Sequence, residues 1–149
     1  MTISGGDHAL PAVGRLVGLD PGRSKCGLVC TDQQRTRIVA ARILAPDPCW
    51  RILQSWITVG DLAGVVLGDG TGSGPWRQRL EGRVPWVCVP EQGTTLAARN
   101  RYWELEPPRG WHRLLPPGLR LPPRDVDDVV AQLLLERWIG QNLARTVNT

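Results

Sequence analysis

At 149 residues, 42% apolar and 21% charged, the chain has the length and composition of one globular domain with a core of its own. No apolar run is long enough to span a membrane and no signal-peptide pattern follows Met1, so a cytoplasmic protein with no membrane partner is the expectation. The net charge of +4 is carried almost wholly by arginine, with Lys25 the one lysine, and the planar guanidinium suits phosphate, which makes nucleic acid an expected partner.

Residues 1–14 are Gly-rich and unpatterned and are expected to form a flexible tail, as are residues 145–149, with one domain spanning 15–144 between them. Val17-Gly18-Leu19-Asp20-Pro21-Gly22 reads as the end of a buried strand (Arg15 to Asp20) closed by an acid at a tight turn. Cys26 to Thr31 and Arg37 to Leu44, joined across Asp32-Gln33-Gln34, extend it into an antiparallel meander of three strands. Asp47-Pro48 opens a helix from about Cys49 to Val59 that puts Trp50, Leu53, Trp56 and Ile57 on one face.

The continuous apolar run from Ala63 to Leu67 predicts a strand buried on both faces, ending in Gly68-Asp69-Gly70. A second helix, Gly74 to Arg83, is expected to turn Trp76 and Leu80 inward and Arg77, Arg79 and Arg83 outward. Val84 to Val89 is a further short strand ending at Pro90-Glu91, after which Thr94 or Thr95 caps a helix through about Trp103. Residues 105–124 are rich in Pro and Arg, lack a period, and read as a functional loop. Asp125 to Leu143 is an amphipathic helix with Val129, Val130, Leu133, Leu134, Trp138 and Ile139 on its apolar face. Cys26, Cys30, Cys49 and Cys88 lack the companions of a zinc site and read as reduced core thiols.

This order predicts an α/β fold with a mixed five-stranded sheet, three antiparallel strands followed by two parallel ones, flanked by helices on both faces. The first, fourth and fifth strands then lie side by side, and ligands collect at their carboxyl ends. Asp20, Asp69 and Glu91 close those strands, and Asp127 and Asp128 begin the last helix. Carboxylates so gathered repel one another and call for a cation; an all-oxygen set selects Mg²⁺ or Mn²⁺. Two such ions, about 4 Å apart, could activate water and stabilise a leaving oxygen in phosphodiester hydrolysis. Each acid also has a structural reading. Asp69 suits a turn, Glu91 a surface position, and Asp125 with Asp128 a helix cap. Capping leaves Asp127 unexplained.

Three segments resemble the motifs of the RuvC/YqgF-like nucleases of the ribonuclease H-like superfamily. Residues 18–27 (Gly18-Leu19-Asp20-Pro21-Gly22-Arg23-Ser24-Lys25-Cys26-Gly27) look like the opening motif, Pro90-Glu91-Gln92-Gly93-Thr94-Thr95-Leu96-Ala97-Ala98-Arg99 like the second, and Val126-Asp127-Asp128-Val129-Val130-Ala131-Gln132-Leu133-Leu134-Leu135 like the third. Arg101-Tyr102-Trp103 and Leu114-Leu115-Pro116 are similar to a cyanobacterial branch of resolvase-like proteins. The resemblance implies a ribonuclease H-like fold and catalytic metal-binding roles for Asp20, Glu91 and Asp127, with Asp69 and Asp128 as further candidate ligands and Lys25 at a usually basic position. Where the family flanks its Glu with Asp and Arg, this chain has Pro90 and Gln92.

The expected activity is that of a metal-dependent endonuclease acting on structured nucleic acid, either a branched DNA junction or the 5′ end of precursor 16S ribosomal RNA, as a monomer or homodimer. Lys25, Arg99, Arg101, Arg109, Arg113, Arg120 and Arg124 are the candidate nucleic-acid contacts. Two other classes compete: a non-catalytic nucleic-acid or ribosome-binding module that retains the fold, and small-molecule phosphotransfer, which a lone domain of this size disfavours.

Overall fold

The structure is a computed structural model and describes residues 10–146. Strands β1 (Arg15–Asp20), β2 (Cys26–Thr31) and β3 (Arg37–Leu44) form the meander, followed by α1 (Pro46–Val59), β4 (Leu62–Gly68), α2 (Ser73–Leu80), β5 (Trp86–Val89) and α3 (Thr94–Leu105). The long loop then leads to α4 (Asp127–Ile139), and a two-residue strand, β6 (Ala144–Arg145), follows. All six strands belong to one sheet in the order β5-β4-β1-β2-β3-β6. The pairs β1–β2 and β2–β3 are antiparallel, whereas β1–β4, β4–β5 and β3–β6 are parallel. This is the mixed α/β sheet expected, three antiparallel strands then two parallel ones flanked by helices, with one strand more than the sequence foretold.

Alternation along the strands sorts the core into two layers. On one face Val17, Leu19, Leu28, Val65 and Leu67 meet Leu53 of α1 and Trp76 and Leu80 of α2. On the other, Leu16, Val29, Val66 and Val87 meet Leu134 and Leu135 of α4. Each such side chain, fully buried, is worth about 1.5–3 kcal/mol relative to exposure. The apolar face of α1 is as expected, with Leu53 buried and Trp50, Trp56 and Ile57 packed partly around it.

α4 lies directly on β1 and β2 because both strands present glycine beneath it. A Cβ at Gly18 would overlap the Ala131 carbonyl, and one at Gly27 would overlap the Asp127 carbonyl. That close approach sets the first turn of α4 over the carboxyl end of β1.

Several local expectations change. α1 begins earlier, at Pro46, with extended Ala45 at its N-cap and Asp47 inside the first turn, where it complements the helix dipole. α4 starts at Asp127 with Val126 at its N-cap and no side-chain cap bond, so Asp125 and Asp128 do not cap it. Nor is α4 simply amphipathic: it packs on the sheet and on α3, and Gln132 and Glu136 are buried within it. α2 ends at Leu80, short of Arg83, and these arginines are not merely outward: Arg79 stacks 4.8 Å over Trp76, and Arg83, past the helix end, lies 5.6 Å from the Trp50 ring.

The expected tails, 1–14 and 145–149, lie partly outside the described residues. Where described, they are engaged. Leu10 packs on the α4-side core, Arg35 donates to the Pro11 and Gly14 carbonyls at 2.6 and 2.7 Å, and Arg145 belongs to β6. The long loop holds two short 3₁₀ turns, Gly110–Leu114 and Pro117–Leu119. All four cysteines are free and buried. No helix among the described residues is long and apolar enough to cross a membrane.

Candidate active site

The sheet register brings the acids to one edge. Leu19 pairs with Leu67, and Gly68 pairs with Val89, so β1, β4 and β5 end level with one another at Asp20, Gly68 and Val89. Glu91 follows two residues on, and its backbone is held from three directions. Its N–H donates to Asp69 Oδ1 at 2.9 Å. Its carbonyl accepts the Thr94 N–H at 2.9 Å and the Thr94 hydroxyl at 2.5 Å. From α4, Arg137 reaches the carbonyls of the two neighbours, Pro90 at 3.4 Å and Gln92 at 3.3 Å.

With the backbone fixed, the side chain of Glu91 lies over Gly68 and Gly70, where any Cβ would overlap its carboxylate oxygens. Glycine is required at these positions for close approach. The carboxylate ends against Asp20. Burial first, then the charge and hydrogen bonding of Glu91 and the charge of Asp127, push the Asp20 carboxyl up to about 8. Burial raises Glu91 as well. Glu91 Oε1 is buried with no donor. A proton held on Asp20 or a cation would satisfy it.

Asp127, half-buried at the start of α4, is the third acid. Burial and then the neighbouring charge of Asp125 raise its pKa, while Lys25 partly offsets this. Lys25 itself is exposed and forms an ion pair with Asp125. As the side chains stand, no group of three or more acids, histidines or cysteines among the described residues is close enough to hold one ion. Asp20 and Glu91 are in contact, and Asp127 lines the same cleft, near enough for its charge to act on Asp20.

That cleft has a volume of about 410 Å³ and is lined by the three acids together with Arg99, Arg124, Thr94, Leu121 and Pro122. The remaining candidates divide clearly. Asp69 is exposed and serves Glu91 through its backbone. Asp128 is 1% exposed and bonded to Arg124 and Arg145, each at 2.9 Å, so its oxygens are committed and it is not placed as a ligand. Although burial alone would raise it, those two guanidinium partners hold its carboxyl below the usual range.

Arg101 is likewise removed from the cleft, paired with Glu136 at 2.9 Å nine residues along α4 from Asp127. Arg120 points back into its own loop, donating to the His112 carbonyl at 2.9 Å. Arg109 and Arg113 are exposed on that loop. Arg99 alone combines exposure with a place on the cleft wall, joined there by Arg124.

Sequence reasoning missed Arg137 and Arg145, whose partners are distant in the chain and leave no local trace. It also missed Gln132 and Glu136. A signal existed: Asp128, Gln132 and Glu136 recur every four residues through an otherwise apolar helix, a polar stripe that demands partners.

No protein-family model matches the chain. No curated protein matches it. Among solved structures, RuvC of Thermus thermophilus in complex with a Holliday junction substrate is 13% identical, with 85% of this chain and 94% of that one covered and a TM-score of 0.44. A second Thermus thermophilus RuvC structure is 13% identical over 85% of this chain and 97% of that one, with a TM-score of 0.40. These are loose likenesses of shape, and the chemistry of the site carries its functional assignment.

Proposed function

We propose that the chain is a metal-dependent endonuclease that hydrolyses phosphodiesters in structured nucleic acid, a branched DNA junction of the Holliday type or the 5′ end of precursor 16S ribosomal RNA. The observation that carries this is the buried Oε1 of Glu91, without a hydrogen-bond donor, on a carboxylate that meets Asp20 in a cleft also lined by Arg99 and Arg124. Carboxylates gathered without a cation lower stability, and the all-oxygen set of Asp20, Glu91 and Asp127 fits Mg²⁺ or Mn²⁺. When bound, such ions supply an activated water and charge neutralisation at the leaving oxygen.

The residues of the chain do the rest. Asp20, Glu91 and Asp127 would hold such ions between them. Asp69, Thr94 and Arg137 hold the Glu91 backbone so that its carboxylate does not drift. Arg99 and Arg124 bind and orient the phosphate. Asp128 acts indirectly by fixing Arg124 at the rim.

A non-catalytic nucleic-acid-binding module is the second reading. It draws on Pro90 and Gln92 beside Glu91, and on acids that are not yet clustered tightly enough for one ion. One experiment separates the two: labelled four-way DNA junctions and a precursor 16S fragment are incubated with Mg²⁺ or Mn²⁺, with wild type and with Asp20→Asn. Metal-dependent cutting that Asp20→Asn abolishes is the expected result, and the preferred substrate then chooses between resolvase and rRNA processing. Binding without cutting, indifferent to Asp20→Asn, would leave only the binding module.

A further inference from the structure

We propose that Trp111 is a stacking platform for an unpaired nucleobase, so that the nucleic acid entering the acid cleft is one with a single-stranded or splayed segment beside the scissile region. This rests on the nucleic-acid part of the proposed function and not on cleavage itself.

Trp111 sits in the first 3₁₀ turn of the α3–α4 loop and is 65% exposed. One face of its indole is covered by the His112 ring, stacked with centroids 3.9 Å apart and planes 28° apart. Most of the residue is nonetheless open to solvent. Behind it the support is continuous. His112 lies 5.2 Å from Trp103, Trp103 packs edge-on at 4.9 Å against buried Tyr102, and Arg124, on the cleft wall, lies 5.2 Å over the Tyr102 ring. The aromatic ladder thus runs from the cleft to the surface.

Hydrogen bonds lock the ladder. Trp103 Nε1 donates to the Arg120 carbonyl at 3.2 Å, and the Arg120 guanidinium donates to the carbonyls of His112 and Arg113 at 2.9 and 3.3 Å. A large ring exposed on a pinned loop is preorganised, which lowers the entropy cost of binding a flat ligand. Arg109 and Arg113, two residues to either side, are exposed and have no side-chain partner among the described residues.

A π-face with guanidinium groups beside it matches the repeating chemistry of an unpaired nucleotide, a base followed by a phosphate. A paired duplex hides its base faces and offers only the phosphates. Burial against a second copy of the chain would instead bring like-charged arginines together, which disfavours that occupant.

The test is fluorescence anisotropy in EDTA with three labelled probes: a single strand, a fully paired duplex, and that duplex carrying a single-stranded branch, each as DNA and as RNA. Trp111→Ala is expected to weaken the single-stranded and branched probes by roughly 5- to 150-fold and the duplex by less than about twofold, with Trp111→Tyr restoring most of the loss. Thermal melts of both variants should match wild type, because the ring is exposed. Unchanged binding, an equal loss on all three probes, or a change of sedimentation that moves wild-type dimers to monomers would each overturn the platform. Cleavage by wild type reports separately on the nuclease: cutting with no Trp111 selectivity removes only the platform, and selectivity without cutting removes only the catalysis.

Discussion

Asp127 and Asp128 are neighbours in the chain and opposites in their surroundings. Both are partly or fully withdrawn from water at the start of α4, but Asp127 faces the carboxylates of the cleft and Asp128 faces two guanidinium groups. One carboxyl is held above its usual range and the other below it. On the Asp128 side, α4, α3 and β6 are tied by a charge-compensated network: Arg145 donates to Gln132 at 2.7 Å, with its Nη2 left unpaired, Arg101 donates to Glu136 at 2.9 Å, and Glu136 accepts the Leu143 N–H at 2.6 Å. On the Asp127 side, the Asp20 and Glu91 carboxyls meet each other, the Gly70 backbone is the further donor to Glu91, and one Glu91 oxygen is left without a donor. Buried acid alone does not mark a function; buried acid that the protein leaves uncompensated does.

The largest separation between the two regions should be in activity. In the cleavage assay, Asp20→Asn and Glu91→Gln are each expected to lower the rate by roughly 10²–10³ or more, since each removes charge placed where the reaction needs it. Asp128→Asn should instead act on stability. It strands Arg145, whose side chain is 10% exposed, and frees Arg124, for a loss of about 3–5 kcal/mol in urea unfolding. If Asp128→Asn were as stable as wild type but inactive, Asp128 would belong with the ligands.

The next contrast is in pH. Asp20 titrates near 3.8 when unfolded and about 8 when folded, so between those values the folded state binds the extra proton. Stability from this group therefore falls as pH rises from about 4 to 8. Asp128, held low, behaves in the opposite sense: its contribution is complete above the ordinary carboxylate range and is lost as pH falls through its depressed value. Urea melts in EDTA should show wild type losing stability between pH 5 and 8.5, and Asp20→Asn losing less. At the higher pH, Asp20→Asn should be the more stable protein by roughly 1–3 kcal/mol, because the amide removes an uncompensated buried charge. A wild type whose stability rises across that interval would mean that the cleft acids are already neutralised.

The same contrast explains what could be read from the chain alone. Asp20 and the end of β4 were legible because strand ends are written locally, in an apolar run followed by Pro-Gly or Gly-Asp-Gly. The acid edge then followed from topology, since β1, β4 and β5 must lie together. The Asp128 network was not legible, because every guanidinium in it comes from a segment that sequence patterning left as loop, tail or surface. β6 is two residues long, too short to carry a period, and it brings in Arg145. Arg101 looked like one more basic residue on an exposed helix face, and only its packing against α4 reveals Glu136 behind it. The glycines beneath Glu91 and Asp127 read as turn or strand interruptions, and their use as contact surfaces appears only when the facing element is in place.

Arg99 and Arg101, two positions apart on α3, give the finest test of the division. Arg99 is exposed on the cleft wall, whereas the Arg101 side chain is 13% exposed and bonded to Glu136, Glu104 and the Leu143 carbonyl. If phosphate is bound where the cleft is arginine-lined, Arg99→Ala should weaken nucleic-acid binding a few-fold whatever the sequence, and should reduce the slope of log affinity against log salt by about one. Its melting temperature should not move. Arg101→Ala should do the reverse, lowering stability while leaving the salt slope of the folded protein intact. Anisotropy titrations across a salt series decide the matter: a lower slope for Arg101→Ala and an unchanged one for Arg99→Ala would place the nucleic acid on the far side of α3 from the acids, and the cleft could then no longer be where the phosphate is held.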